Sequence, residues 1–158
     1  RERNGMFASC GILYNHDSPR RQAHYLLPRL VKDSVLIKEG KETSLSVGDA
    51  GATIDLGYAP EYVEAIRQIM ALPKAEDFII ATGRNYSVRE IINSIFQALN
   101  FDPLPPITID PGRLTSRPVL NPLIGDGSKL LKATGWRATV ELTEIVASIL
   151  EGQALNDD

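Results

Sequence analysis

The stretch that decides the fold is Gly5–Arg21, "GMFASCGILYNHDSPRR". As far as Asn15 it is a nearly continuous apolar run. Such runs suit a strand buried on both faces, as in a parallel sheet. The chain then turns polar through Asn15, His16 and Asp17 and reaches the adjacent Arg20 and Arg21. In open α/β sheets, ligands bind just beyond the carboxyl ends of parallel strands. A guanidinium offers a planar fork of donors that matches phosphate. Two cations ahead of a helix oppose its dipole, but only by about a few tenths of a kcal/mol each. A solvated loop and an anion site are therefore both open from this feature alone.

Outward from that run, strands alternate with helices. Apolar spacing predicts a helix over Ala23–Glu39, with its regular part starting near Leu27 because Pro28 fits only a first turn. "TSLSVG", Thr43–Gly48, alternates like a short strand, and "DAGATIDLGY" has the composition of a loop. Pro60 opens a helix that continues to Leu72. "DFIIATG", Asp77–Gly83, is a second buried strand. "SVRE", Ser87–Glu90, is a capping box for a helix over Val88–Leu99. Ile107–Asp110 is an edge strand beside prolines. A short helix over Lys129–Thr134, capped by Asp126 or Ser128 and stopped at Gly135, precedes a last helix over Leu142–Glu151. The alternation indicates an α/β chain.

The chain has 158 residues, enough for one domain with a real core. Lys plus Arg is 17 and Asp plus Glu is 20, a net charge of −3 that speaks against a nucleic-acid binder. No apolar run approaches the ~18 residues of a membrane span, and a signal peptide is not expected from "RERNG" and the short apolar run after it. The single cysteine, Cys10, cannot form an internal disulfide; it is expected to be a buried, inert thiol in a cytoplasmic protein.

Other chemistry is sparse. There is no G-x-G-x-x-G or Walker motif and no G-x-S-x-G elbow. His16 and His24 lie eight apart without cysteine or carboxylate at ligand spacing, so no metal site is expected. Asp55 is expected to cap a loop, with a catalytic carboxylate as the rarer alternative. Arg117, stiffened by Pro118, is a candidate ligand contact or a surface arginine. Trp136 is expected to be a packed anchor.

Taken in order, "GMFASCGILYNHDSPRR", "GDAGATIDLGYAPEYVEAI", "DFIIATGRNYSVREII", "RPVLNPLIGDGSKL" and "ATGW" resemble the C-terminal half of GDP-mannose 4,6-dehydratases. These belong to the extended short-chain dehydrogenase/reductase family. The resemblance implies the C-terminal portion of an NAD(P)-binding Rossmann-like fold over residues 1–158. In it, late Rossmann elements interleave with the small substrate-binding domain. The family's glycine-rich fingerprint and its catalytic threonine or serine, glutamate, tyrosine and lysine have no counterpart here. The chain is therefore expected to be a fragment or a truncated version, with no catalytic residue of its own.

By the same resemblance, Asn15 contacts the sugar nucleotide, His16 and Arg21 hold NADP or NAD, and Arg29 and Arg117 face the substrate diphosphate. In the implied reaction the cofactor takes hydride from sugar C4, water leaves across C5–C6, and the hydride returns at C6. A homo-oligomer, dimer or tetramer, is implied. The sequence departs from the family at two places. Ile54 stands where an arginine is usual, and Leu120 and Asn121 stand where a glutamate is expected. An isoleucine side chain cannot donate to phosphate. The alternatives are an epimerase or reductase of the same fold, or a non-catalytic binding or assembly module. Such a module, standing alone, should expose the face of residues 6–15.

Overall fold

The structure, a computed structural model, describes residues 1–113 and 123–154. The opening run forms two short strands, β1 (Gly11–Leu13) and β2 (Asn15–Asp17). Helix α1 (Leu26–Lys38), strand β3 (Leu45–Val47), strand β4 (Thr53–Tyr58) and helix α2 (Ala59–Met70) follow. Then come β5 (Phe78–Ile80), β6 (Asn85–Ser87), α3 (Val88–Ala98) and β7 (Ile107–Ile109). Helices α4 (Ser128–Thr134) and α5 (Leu142–Ala154) complete the order.

The decisive feature is a change of neighbour at Tyr14. Before it, β1 runs parallel to β5, with Ile12 beside Ile79; the Tyr14 N–H then donates to the Ile80 carbonyl at 3.0 Å. After it, β2 runs parallel to β4, with His16 beside Gly57. Strand β4 also pairs antiparallel with β6, and β3 pairs parallel with β7. Places where a strand exchanges partners leave a crevice at the sheet's carboxyl end, where α/β proteins put their ligands.

Two apolar clusters hold these strands. One gathers Leu27, Leu30 and Val31 of α1 with Ile91, Ile92 and Ile95 of α3 and Ile145, Val146 and Ile149 of α5. The other joins Tyr62, Ala65 and Ile69 of α2 to Phe78, Ile80, Leu130 and Trp136, so Trp136 is the packed anchor its sequence context predicts. The capping box also forms: the Ser87 hydroxyl accepts from the Glu90 N–H, and the Glu90 carboxylate accepts from the Ser87 N–H.

Three expectations fail for identifiable reasons. The run Gly5–Asn15 is not a strand buried on both faces. Only Gly11–Leu13 enters the β1 ladder, and Met6, Phe7, Ile12 and Leu13 are exposed, Ile12 by 52%. Among the described residues β1 pairs with one strand, β5. Cys10 is consequently exposed, not buried. Finally, "DAGATIDLGY" is not all loop, because Thr53–Tyr58 is the central strand of its sheet. Its Asp55 and Gly57 resemble loop residues by type, yet each has a tertiary reason to lie in a strand.

Candidate functional site

Gly57 explains the local architecture. Its missing side chain is filled by Tyr62 of α2: a Cβ there would lie 2.5 Å from Tyr62 Cε2 and 2.8 Å from Thr82 Cγ2. Tyr62 is 1% exposed and meets Trp136 edge-on, with ring centroids 6.1 Å apart. On this aromatic floor the His16 ring stacks, centroids 4.8 Å apart and planes 29° from parallel. His16 Nδ1 lies 2.7 Å from the Tyr14 carbonyl oxygen. Asn15, next to His16, is exposed at the start of β2.

Asp17 closes the strand. It is buried, and burial pushes its carboxyl up to about 6, against the attraction of Arg21 and His16. Its Oδ1 lies 3.5 Å from Arg21 Nε, and neither atom has a hydrogen-bond partner among the described residues. The Arg21 guanidinium carbon sits 3.6 Å from the centroid of the Tyr25 ring, a cation–π contact. Arg20 is exposed and makes no ion pair with another described residue.

The raised Asp17 value has a sign. The folded state binds its proton more readily than the unfolded chain does. Its contribution is therefore complete below the ordinary carboxylate range and is lost as pH rises towards 6. At 1.36 kcal/mol per unit, the loss from about pH 4 to pH 7 is at most about 3 kcal/mol. Asp17→Asn should abolish this part of the slope. Denaturant midpoints of the two proteins, compared at both pH values, should diverge in favour of the variant at pH 7. Parallel curves would contradict the burial argument.

A second basic cluster lies where α1 meets β3. Arg29 Nη1 donates to Asp33 Oδ2 at 3.3 Å and to the Ser46 carbonyl at 3.2 Å, which ties α1 to β3. Arg113 Nη1 stands 3.8 Å from the same Asp33 oxygen, and its Nε 3.6 Å from Asp110 Oδ2. Two guanidiniums thus share one carboxylate. Arg113 was not singled out from the sequence. The available signal was a second arginine four residues before Arg117. Arg117 itself, with Leu120 and Asn121, lies outside the described residues.

The structure does not put Arg21 and Arg29 in one hollow. Arg21 lines a groove of about 490 Å³ between α1 and α5, with Lys32, Glu39, Lys41, Pro28 and Ile149. Arg29, Asn15 and His16 are not part of that groove.

Asp55 frames the strand ends. It is 1% exposed. Its Oδ1 accepts from the Thr82 N–H (3.0 Å) and the Thr82 hydroxyl (2.6 Å), and its Oδ2 from the N–H groups of Gly83 (3.0 Å) and Gly125 (3.1 Å). Asp55 caps a loop as the sequence reading expects, but from strand β4 and in another segment of the chain. Ile54, beside Tyr86 in the β4–β6 pair, packs against the larger apolar cluster. Among the described residues no cluster of His, Cys, Asp and Glu could hold a metal ion, and no helix is long and apolar enough to cross a membrane.

The sequence profile of the family described as GDP-mannose 4,6 dehydratase matches residues 1–149. The chain belongs to that family. GDP-mannose 4,6 dehydratase 2 of Arabidopsis thaliana is 32% identical over 151 residues, covering 96% of this chain and 40% of the relative. The GDP-mannose 4,6-dehydratase of Vibrio cholerae is 30% identical over 177 residues, covering 95% and 47%. The chain thus spans less than half the length of these relatives and matches their C-terminal portion. Among solved structures, RMD from Pseudomonas aeruginosa complexed with NADPH superposes with a TM-score of 0.82 at 19% identity, over 94% of this chain and 48% of that one. The UDP-glucose 4-epimerase of Thermotoga maritima with UDP-glucose gives 0.79 at 19%, over 99% and 49%. These likenesses establish the fold: an α/β chain of Rossmann-like type.

Proposed function

We propose that this chain is the sugar-nucleotide-binding portion of a nucleotide-sugar 4,6-dehydratase, a lyase acting on GDP-mannose or a near relative. Residues 1–158 combine late Rossmann elements with the substrate domain. The observation that carries the proposal is the convergence of Arg29 and Arg113 on the single carboxylate of Asp33. Asp33, Asp110 and the Ser46 carbonyl engage only Arg29 Nη1 and Arg113 Nη1 and Nε, and a diphosphate can take the donors that remain. Arg117, four residues on from Arg113, is assigned to the same diphosphate, and Asn15 to the sugar nucleotide.

The residues at the end of β2 suit a nucleotide cofactor, NADP or NAD. Arg21 Nε is a buried donor without a hydrogen-bond partner among the described residues, and one face of its guanidinium is already steadied by Tyr25. When bound, the cofactor would supply a hydride acceptor and donor for the sugar. His16 and Arg21 would bind and orient it, and Arg29, Arg113 and Arg117 would hold the diphosphate so that the sugar keeps one position. Such positioning is a large part of catalysis. The acid–base residues are assigned to a portion of the enzyme outside these residues. The protein is assigned to the cytoplasm, as a homo-oligomer.

Ile54 favours a second reading. Packed in the apolar cluster, it offers no donor where the family has an arginine, and this suits a sugar nucleotide other than GDP-mannose, or an epimerase or reductase reaction. One experiment separates these. The polypeptide that carries the chain is incubated with NADP⁺ and a panel of sugar nucleotides, and the products are weighed. A 4-keto sugar nucleotide lighter by one water supports a dehydratase. A product of unchanged mass means epimerisation, and a gain of two hydrogens under NADPH means reduction. No turnover of any panel member contradicts the enzyme reading.

A further inference from the structure

The stack beneath His16 has a chemical consequence. The Tyr14 carbonyl, 2.7 Å from Nδ1, is an acceptor only, so Nδ1 carries a proton in either charge state of the ring. In the neutral imidazole Nε2 is then a bare lone pair. Among the described residues Nε2 has no hydrogen-bond partner, and it is not among the fully buried polar atoms. Tyr62 fixes the plane in which that lone pair points. The Tyr62 ring is itself 1% exposed, packed over Gly57 and met edge-on by Trp136. Its hydroxyl is buried without a partner, so Tyr62 acts here through its ring.

The geometry points to Tyr62 as a positioning residue that presents His16 Nε2 as a hydrogen-bond acceptor to a donor group of the bound nucleotide. The donor is a hydroxyl or an amide N–H, of the kind a ribose or a carboxamide carries, and not a phosphate oxygen. This division of labour rests on the cofactor reading above: His16 reads a donor, and the guanidinium of Arg21 takes the phosphate. A neutral His16 cannot bind phosphate through Nε2, since both groups are acceptors.

The test is nitrogen NMR of the polypeptide labelled with ¹⁵N-histidine, at about pH 8, where an ordinary imidazole is neutral. His24→Gln removes the only other histidine signal of this chain. The expected spectrum of His16 is a single tautomer, protonated at Nδ1 and bare at Nε2. Added NADP⁺ should move the Nε2 resonance in the direction of hydrogen-bond acceptance. Tyr62→Phe, which keeps the ring, should leave tautomer and affinity unchanged. Tyr62→Leu should give motionally averaged His16 signals and NADP⁺ binding weakened about tenfold, or about 1.4 kcal/mol. A wild-type spectrum showing protonated Nε2, or a mixture, overturns the inference without any variant having to fold. A folded Tyr62→Leu protein with an unchanged His16 spectrum overturns the positioning role. An Nε2 resonance indifferent to bound NADP⁺, with the tautomer as expected, overturns the cofactor reading of His16 and the acceptor role with it.

Discussion

Asp55→Ala is expected to destabilise the fold by about 4 kcal/mol, counting the donors it strands. The Gly125 N–H is buried and loses its only acceptor among the described residues, at about 2 kcal/mol. The N–H groups of Thr82 and Gly83 are partly accessible, so water recovers some of their loss, leaving about 1 kcal/mol each. The Thr82 hydroxyl can turn to another acceptor, since it already lies 3.2 Å from the Arg84 carbonyl. A domain of this size is typically stable by about 5–15 kcal/mol, so the variant should be near its unfolding threshold at 37 °C. Urea or thermal melts measure the effect. A loss below about 1 kcal/mol would mean that the four hydrogen bonds are replaced by solvent and that Asp55 does not organise this end of the sheet.

Gly125→Ala should be the second-largest disruption, for a steric reason. A Cβ on Gly125 would lie 2.1 Å from the Ala81 Cβ and 3.1 Å from two atoms of the Tyr14 ring. Ala81 has no rotamer by which to yield, so the backbone at the end of β5 must move. Overpacking of this kind costs about 1–3 kcal/mol, and the absence of a flexible neighbour puts this site at about 3. The same melts report it. Displacing Gly125 also pulls its N–H from Asp55, so the double variant should lose less than the sum of the single losses. Full additivity would show that the two residues act independently.

These two positions show why the sequence reveals some of this molecule and conceals the rest. Elements that declare themselves within one segment were legible. Pro60 stands in the first turn of α2, Ser87 and Glu90 cap α3, and Gly135 closes α4 in a left-handed conformation. Residues whose reason lies in another segment were not. Asp55 and Gly57 made "DAGATIDLGY" resemble a loop, yet Asp55 is satisfied by the loop after β5 and by Gly125, and Gly57 makes room for Tyr62. The apolar run from Gly5 to Asn15 marked a strand of which only Gly11–Leu13 forms before the chain changes partner, and it gave the burial wrongly, because burial belongs to the neighbours of a strand and not to its own composition. Ile12 and Leu13 are exposed on a strand that, among the described residues, pairs with β5 alone, and Met6 and Phe7, exposed too, precede it.

The basic residues divide the same way. Arg21 was noticeable as part of a pair following a strand. Its actual surroundings, Asp17 and Tyr25, depend on how the chain turns between β2 and α1. Arg29 and Arg113 are separated by more than eighty residues, and only the fold brings both to Asp33. The proposed diphosphate site is for that reason a tertiary feature.

The most direct measurement is titration calorimetry of GDP-mannose, or of whichever sugar nucleotide the panel selects, into the polypeptide that carries this chain and into its Arg29→Ala, Arg113→Ala and Arg117→Ala variants. If guanidiniums from separate segments hold the diphosphate, each variant should lose about 1–3 kcal/mol of binding, roughly 5- to 150-fold in affinity, with the fold intact by circular dichroism. Unchanged affinity in all three would contradict the account.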